Sequence, residues 1–442
     1  MKVTDIEVHE IGLEYQDALA YEFSHYYHIS GRTVYVVHTD TGLVGLGEGH
    51  TTEPPEVLDR YIGSNPFDWI GDETSLGLGT AMYDLMGKAA GVPVYKLFGQ
   101  RYRAWVPVSS WTVSTHPERM AAAVTHYAAR GYTWLKFHLS PWENVIAQTE
   151  AMQQVAPEGF QVHYDFTMQG TDDHMVALLD KLAEFPIAGC FEDPLPSEDI
   201  PGYIALRQRS RLPVVLHHTP LQATYEVLMG AADAYMLGHS KIGDAMRRAG
   251  LFAAGNLPFM LQNVGGTITR AMTVHMMAAF PSATLHTISC AETWQSDVVQ
   301  ERLEPINGLV RVPDAPGLGL TLDRGELERL TRVPRQEPQR WIIKSRFENG
   351  TKLYGLADPQ NSLHLVRPDL SRLLPMRYAE PITTEYWDDD GTPEYAAMLK
   401  RLDKEGMVLE AWGLYTLLDG GHNRYHPAQQ PHEQARRNQG KQ

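Results

Sequence analysis

The sequence predicts an α/β fold built around a closed barrel of parallel strands, with one α+β segment before the barrel and another after it. Short apolar runs alternate with helical stretches over about residues 105–323, as in consecutive βα units around a parallel sheet. Eight such runs can be distinguished, and eight parallel strands imply closure into a barrel. They read VPVSSW, TWLKFHL, FQVHYDF, IAGCFED, LPVVLHH, ADAYMLGH, LPFMLQN and ATLHTIS.

The pattern of residues 1–104 predicts an α+β segment that precedes the barrel in the sequence. KVTDIEVHEIG and TVYVVHTDTGLVGLGEG alternate apolar and polar residues as antiparallel strands do, and the second turns at Asp40-Thr41-Gly42. The apolar spacing from Thr74 to Ala90 predicts a helix that Gly91 ends. Residues 14–32, between the strands, lack a clean period and are interpreted as a mobile loop.

Residues 324–442 predict a small α+β extension, because the βα rhythm is lost after Asp323. In RWIIKSRFENGTKLYGLA the Asn349-Gly350 pair lies between two alternating runs, which predicts a hairpin. PEYAAMLKRLDKEG predicts a helix. The last twenty residues are rich in His, Gln, Arg and Asn, and we expect them to be disordered.

The composition excludes several classes of protein. The chain has 442 residues, of which 43% are apolar and 21% charged, an ordinary globular balance. Its formal net charge of −16 argues against nucleic acid as a partner, because such surfaces need clustered Lys and Arg. No window approaches the roughly 20 apolar residues of a membrane helix, and MKVTDIEVHEIG lacks a secretory core. We therefore expect a cytoplasmic protein with no membrane partner. Two cysteines are too few for a disulfide framework.

Polar side chains close several of the apolar runs. Lys136 and His138 are two residues apart, so they share one face of a strand. Asp165, Glu192 and His218 close the next three runs at intervals of about one βα repeat, which places them at one rim of the barrel. Two carboxylates and an imidazole that converge there predict a metal site. The alternative is that each is a solvated strand end or a helix cap.

Longer motifs identify a family. TDTGLVGLGEG, TAMYDLMGKAAGVPVYKLFG and VRVPDAPGLGLTLD resemble the enolase superfamily, in the branch of mandelate racemase and muconate lactonizing enzyme, over about residues 1–323. The resemblance implies a capping domain (1–104) over a modified (β/α)7β TIM barrel (105–323), a magnesium site and a homo-oligomer. It also implies a small carboxylic acid as substrate, with abstraction of the proton next to the carboxylate to give a metal-stabilised enediolate.

Two of the expected metal ligands match this family and one departs from it. Asp165 in HYDF and Glu192 in CFEDP match the first two ligands. The third is normally an acid at the end of the fifth strand, but LPVVLHHTP places His218 there, with His217 or water as alternatives. Because imidazole suits Mn²⁺, Fe²⁺ or Zn²⁺ better than Mg²⁺, those metals are also expected.

The second run carries the expected base. Where the family has Lys-x-Lys, LKFHL supplies Lys136 and His138. The resemblance implies that Lys136 neutralises the substrate carboxylate and that His138 is the base, and an imidazole with an unperturbed pKa of about 6.5 suits that role. The alternative is a packed barrel histidine with Lys136 as its electrostatic partner.

The opposite wall is poorer in acid–base groups. The sixth run ends at Gly238, and His239 faces the other way if the strand is regular. In the seventh run Gln262 stands where many family members carry His. Because a two-base racemase needs a proton-transferring group on each face of its substrate, these losses argue against racemisation.

Four residues are candidates for substrate binding. Glu292 matches a family position that contacts the substrate carboxylate, although a capping or solvated acid is an equal reading. His50 follows the GLGEG turn and Tyr27 lies in the first loop, where they contact either the substrate or a neighbouring subunit. Gln262 is the fourth candidate.

The function predicted from these observations is a metal-dependent dehydratase, a carbon–oxygen lyase acting on a hydroxy or sugar acid. Elimination needs only one base together with metal-assisted departure of the leaving group. An epimerase or another lyase of the same superfamily is the first alternative. A catalytically silent metal-binding or scaffold protein is the second, since the departures at His218, Gly238 and Gln262 would all be explained by loss of turnover.

Overall fold

The structure of the protein, a computed structural model, describes residues 1–26, 30–140, 142–167, 172–217, 224–335, 340–348, 350–357 and 382–410. Its first segment is an antiparallel sheet of order β1-β2-β3 with helices packed against it. The elements are β1 (Val3–Gly12), α1 (Ala20–Tyr26), β2 (Gly31–Thr39), β3 (Val44–Gly49), α2 (Pro55–Tyr61), α3 (Leu76–Ala90) and α4 (Tyr95–Phe98).

Helix α3 begins and ends where its sequence predicts. The Ser75 side chain accepts a hydrogen bond from the backbone N–H of Leu78, and Gly91 ends the helix in the left-handed conformation with φ 66°. The interpretation of residues 14–32 as a loop is wrong in part, because α1 lies within them. Leu19 and Phe23 are buried, and Phe23 stacks on Tyr15 and on Trp111 of the barrel. Tertiary packing supplies the order that local periodicity does not indicate.

The second segment is a parallel sheet that closes on itself. Seven strands lie in the order β11-β10-β9-β8-β7-β6-β5. Residues of the eighth run bridge both edges, since Thr287 pairs with Val108 and Ile288 pairs with Gln262. The predicted barrel is confirmed, although its eighth member forms bridges and no regular strand. The elements are β4 (Trp105–Pro107), β5 (Ser110–Val113), α5 (Pro117–Ala129), β6 (Trp134–His138), α6 (Val145–Val155), β7 (Gln161–Asp165), α7 (Asp172–Leu182), β8 (Ala188–Glu192), α8 (Ile200–Arg209), β9 (Val214–Leu216), α9 (Thr224–Met229), β10 (Ala234–Gly238), α10 (Ile242–Ala254), β11 (Phe259–Gln262), α11 (Thr267–Ala279) and β12 (Leu309–Arg311), which pairs with β4.

The third segment contains a four-stranded antiparallel sheet of order β15-β13-β14-β16. The predicted hairpin is confirmed by the pairing of Arg346 with Lys352; Asn349 of its turn lies outside the described residues. The predicted helix is α13, capped by the Thr392 side chain. The last twenty residues also lie outside the described ranges. The elements are α12 (Arg324–Leu330), β13 (Trp341–Phe347), β14 (Lys352–Ala357), β15 (Ile382–Trp387), α13 (Pro393–Glu405) and β16 (Met407–Glu410).

A buried ion pair attaches the first segment to the barrel. Arg32 Nε lies 2.6 Å from Glu48 Oε1, and both side chains are almost fully buried. Glu48 accepts hydrogen bonds from the backbone N–H of Gly266, at 2.9 Å, and from the Thr269 hydroxyl, at 2.9 Å. Arg32 donates to the carbonyl of Val264 at 2.7 Å. These contacts hold the sheet of the first segment over the loop that follows β11, next to the barrel mouth.

The extension packs against the loop that follows β6. Trp142 of that loop is fully buried, and a Cβ on Gly355 of β14 would lie 2.5 Å from its ring, so this strand needs glycine there. The hydroxyl of Thr384 donates to the carbonyl of Trp142, and Tyr386 donates to the Glu143 carboxyl. The extension therefore supports the loop that begins immediately after His138. Among the helices within the described ranges, none is both long enough and apolar enough to cross a membrane.

The Glu143 carboxyl makes this contact sensitive to pH. Burial raises its pKa from 4.5 to about 8, in spite of the hydrogen bond from Tyr386 that lowers it. The folded protein therefore binds a proton that the unfolded chain releases above its ordinary pKa. The stability from this group is fully present below about pH 4.5 and is lost as the pH rises through about 8.

We predict that Glu143→Gln removes the loss of folding stability that Glu143 causes as the pH rises. The amide oxygen still accepts from Tyr386 but carries no charge, so the variant should be more stable than the parent at pH 9, by on the order of a few kcal/mol. Denaturant unfolding between pH 5 and 9 measures this. If the two proteins keep the same difference in unfolding free energy at both ends of that range, Glu143 does not titrate in the fold as described.

Candidate active site

Two acids and a lysine meet at the rim formed by the carboxyl ends of the barrel strands. Asp165 is the last residue of β7 and Glu192 is the last of β8, and parallel pairing places them side by side. Lys136 of β6 ends between them, with Nζ 3.0 Å from Asp165 Oδ2 and 2.6 Å from Glu192 Oε2. The structure thus brings together the two predicted metal-ligand acids, and an ammonium group contacts both.

The electrostatics of this cluster are set by burial and by the charge of the lysine. Burial alone would favour neutral forms of all three groups. The two carboxylates more than compensate for this at Lys136 and raise its pKa above the ordinary value. Burial and Glu192 raise the pKa of Asp165, but Lys136 and His138 outweigh them and lower it. Burial likewise opposes the charge of Glu192, and Lys136 with His163 and His217 lowers its pKa. All three groups are therefore charged at neutral pH.

His138 lies beside this cluster, on the same face of β6 as Lys136, as the sequence predicts. Its Nε2 lies 3.0 Å from Asp165 Oδ2, the oxygen that also contacts Lys136. The edge of its ring meets Trp111, with ring centroids 5.3 Å apart and planes at 86°. The side chain is partly exposed toward the barrel mouth. Asp165 and Trp111 therefore fix the orientation of an imidazole at the edge of the cleft.

The imidazole at the end of the fifth strand that the structure describes is His217, whereas His218 lies outside the described residues. His217 Nδ1 lies 2.9 Å from Glu192 Oε1, and its backbone N–H donates to Asp193 Oδ1 at 2.9 Å. Donor atoms of Glu192, Asp193 and His217 all lie within 4.8 Å of one another. Sequence reasoning missed Asp193, which a regular strand would turn away. Its φ of 44° breaks that alternation, and the Glu-Asp doublet in CFEDP is the signal that was available.

The donor set favours a divalent ion that accepts nitrogen as well as oxygen. The oxygens of the buried Glu192 side chain lie 2.6 Å from Lys136 Nζ, 2.7 Å from His163 Nε2 and 2.9 Å from His217 Nδ1. A divalent ion at this place would share them with the Lys136 ammonium group. The carboxylates of Glu192 and Asp193 with the imidazole of His217 offer oxygen and nitrogen ligands together, a combination that Mn²⁺, Fe²⁺ and Zn²⁺ accept readily and Mg²⁺ accepts less well.

The opposite wall differs from its sequence-based description at one residue. A Cβ on Gly238 would lie 2.0 Å from His217 Nε2, so a side chain at the end of β10 would displace the His217 ring from its present position. The next residue, His239, has φ 48°, which interrupts the strand alternation on which the expectation of an outward side chain rested. Its Nδ1 lies 3.3 Å from Nε2 of His50. His50 and His239 therefore meet at the barrel mouth. Burial, which disfavours the charged imidazolium, lowers the pKa of each.

The remaining predicted substrate contacts are placed as follows. Gln262 is buried, and its Oε1 accepts a hydrogen bond from Lys136 Nζ at 2.8 Å. Glu292 is also buried and forms an ion pair with Arg270, while its backbone carbonyl accepts from Arg130 at 2.7 Å. Its carboxylate thus has a partner within the fold, and its contact with a substrate stays a prediction. Tyr27 lies outside the described residues.

Comparison with known proteins supports the family resemblance. A family model described as enolase C-terminal domain-like matches residues 119–326, which span the barrel from α5 to the start of α12. Curated relatives and solved structures belong to the same group of enzymes. The chain is thus similar to members of the enolase superfamily, in its mandelate racemase and muconate lactonizing enzyme branch, which agrees with the resemblance of the sequence motifs.

The relatives include dehydratases. The chain is 24% identical to cis-3-hydroxy-L-proline dehydratase from Roseibium aggregatum, over 73% of this chain and 96% of the relative. It is 26% identical to D-xylonate dehydratase from Haloferax volcanii, over 66% of this chain and 83% of the relative.

Solved structures support the fold. A 2-chloromuconate cycloisomerase from Rhodococcus opacus matches with a TM-score of 0.64 and 17% identity, over 75% of this chain and all of that one. An enolase from Pseudomonas fluorescens with bound magnesium, potassium and tartrate matches with a TM-score of 0.63 and 20% identity, over 75% of this chain and 92% of that one. At these identities the likeness concerns the capping domain and barrel architecture.

We predict that Lys136→Met destabilises the protein strongly. Removal of the ammonium leaves two buried carboxylates without their common counter-ion, and the free energy of unfolding at neutral pH should fall by about 3 to 5 kcal/mol. Denaturant unfolding measures this. Lys181→Met is the matched control, because Lys181 pairs with Glu184 at 2.7 Å on the surface and should cost less than about 1 kcal/mol. Equal losses in the two variants would contradict the description of the cluster.

Proposed function

We propose that the protein is a metal-dependent dehydratase of a hydroxy or sugar acid, with His138 as the base that removes the proton next to the substrate carboxylate. The observation that carries this proposal is the position of the His138 imidazole, oriented by Asp165 at the edge of the cleft and beside the acid cluster. The relatives whose names state dehydration of hydroxyproline and of xylonate support the class of reaction.

The reaction balances as loss of water. His138 takes the α-proton, the electron pair left on the α-carbon forms a double bond to the β-carbon, and the β-hydroxyl leaves as water with a proton from the His138 imidazolium or from solvent. The resulting enol becomes a 2-keto acid when the α-carbon carries a hydroxyl. A divalent ion held by Asp165, Glu192 and His217 or His218 would stabilise the negative charge that develops on the substrate carboxylate.

The protein's own residues set the conditions for proton removal. The Asp165 carboxylate lies 3.0 Å from His138 Nε2. Its negative charge would stabilise the imidazolium that forms when the ring takes a proton. Lys136 places a positive charge beneath the site and attracts the substrate carboxylate, although its direct partners are Asp165, Glu192 and Gln262. For His50, Tyr27, Gln262 and Glu292 we keep the proposed role of substrate contacts.

An epimerase is the second candidate, and one observation favours it. β6 and β10 hold the second and sixth positions of an eight-membered barrel, so His138 and His239 come from opposite sides of the rim. The left-handed backbone of His239 turns its ring toward His50 at the mouth. An imidazole on each wall is what proton removal from one face and return to the other would need.

Incubation with a set of hydroxy and sugar acids in D₂O with Mn²⁺ or Mg²⁺ tests the proposal. We expect at least one acid to lose its α-proton and yield a keto acid, and His138→Asn should slow this by roughly 10² to 10⁴-fold. His9→Asn is a matched control, since His9 pairs with Glu7 on the first sheet, away from the barrel.

The outcomes separate the candidates. Exchange of the α-proton for deuterium without loss of water would favour the epimerase. Bound metal with neither exchange nor elimination across the set would favour a silent binding protein. Full activity of His138→Asn would reject His138 as the base.

A further inference from the structure

A second cluster of ligating side chains lies one layer deeper in the barrel than the acid cluster. His163 of β7 precedes Asp165 by two residues, and Cys190 of β8 precedes Glu192 by two. Because side chains two apart on a strand share a face, both point into the barrel interior beneath the rim. His286 reaches the same point from the segment that closes the barrel. One donor atom from each of His163, Cys190 and His286 lies within 4.8 Å of the others.

The cluster is sealed from solvent. His163, Cys190 and His286 are 0%, 5% and 4% exposed. His163 Nδ1 lies 2.9 Å from His286 Nε2, and the ring of Trp134 stacks on His286 with centroids 4.2 Å apart. Burial lowers the pKa of both histidines, and it raises the pKa of the Cys190 thiol.

We propose that His163, Cys190 and His286 form a second metal site, which takes a thiophilic divalent ion such as Zn²⁺. A thiolate with two imidazoles is a borderline-soft donor set, in contrast to the oxygen-rich rim above it. Zinc binds imidazole nitrogen at about 2.0 to 2.1 Å and thiolate sulfur at about 2.3 Å. Two nitrogens held at tetrahedral angles then lie roughly 3.3 Å apart, so the His163–His286 contact needs to open only slightly.

One of the proposed ligands, His163, already contacts a carboxylate through its other ring nitrogen. His163 Nε2 lies 2.7 Å from Glu192 Oε2, and a carboxylate there favours the proton on Nε2. The lone pair of Nδ1 then points toward His286 Nε2, 2.9 Å away. A carboxylate behind a ligating histidine is the common arrangement at zinc sites, where it fixes the tautomer and the ring orientation. Glu192 would thus link the rim cluster to the deeper one.

Binding is balanced by loss of a proton. The Cys190 S–H bond breaks, its sulfur donates an electron pair to the ion, and the proton leaves to solvent, with no change in oxidation state. One ion with one thiolate adds a single net positive charge to an interior that already holds the carboxylates of Asp165 and Glu192.

Titration of the chelator-treated full chain with Co²⁺ tests this site directly. Thiolate coordinated to Co²⁺ gives a near-ultraviolet charge-transfer band that carboxylate and imidazole ligands do not give. We expect the band to reach the intensity of one thiolate-bound Co²⁺ for each chain, whether or not the rim also takes up Co²⁺, and to be absent in Cys190→Ser. Cys290→Ser is the matched control: Cys290 is the other buried cysteine, it lies outside the cluster, and its loss should leave the band intact.

Two further variants keep the result interpretable. His286→Asn retains the thiol but loses a ligand, so it should weaken Co²⁺ binding as followed by the band. Asp165→Asn alters only the rim and should leave the band unchanged, which separates this site from that of the proposed function. Absence of the band in folded wild-type protein, its persistence in Cys190→Ser, or its equal loss in Cys290→Ser would overturn the proposal and leave a hydrogen-bonded core cluster.

Discussion

The contact on which the site depends is the ion pair of one buried ammonium with two buried carboxylates. Lys136 touches both Asp165 and Glu192, and none of the three has appreciable access to water. Burial of two like charges side by side is costly unless a counter-charge lies between them. The lysine therefore allows two acids to stand at the ends of adjacent strands as anions. The orientation of His138 depends on the same oxygen of Asp165, so the proposed base and the proposed metal ligands share one electrostatic support.

The other segments place this cluster in a closed setting. Arg32 and Glu48, a second buried ion pair, attach the capping sheet to the loop after β11 and bring His50 to the mouth of the barrel. On another side, the extension packs on Trp142 and Glu143, in the loop that follows His138. The cap and the extension thus both contact loops at the carboxyl-end rim, where substrate specificity resides in barrels of this kind.

Much of this arrangement could be predicted from the sequence, and the residues show why. The alternation of apolar runs with helices and the polar residues that close those runs are local patterns, so the barrel and the convergence of Lys136, Asp165 and Glu192 follow from them. The backbone conformation of single residues is harder to predict from the sequence. His239 and Asp193 turn into the site through positive φ. Asp and His adopt this conformation more often than most residues, but that preference is too weak to single out these two positions in the sequence. The helix α1 depends on packing of Phe23 against Trp111, a contact between residues far apart in the chain.

The glycine at position 238 shows a further limit. In the sequence it reads as the loss of an acid–base group from the sixth strand. In the structure the His217 ring fills the space that a side chain at position 238 would need. The absence of a side chain there is therefore linked to a contact between neighbouring strands, which a single sequence does not reveal.

The most direct test of the account is the protonation state of Asp165 and Glu192. Infrared difference spectra between the wild type and Glu192→Gln, and between the wild type and Asp165→Asn, report whether each missing group was a carboxylate or a carboxylic acid. Lys136 keeps both groups ionised, so the account predicts the carboxylate signature for each at neutral pH and down to the ordinary pKa of a carboxyl group. The signature of a protonated carboxyl group at neutral pH for either residue would contradict it.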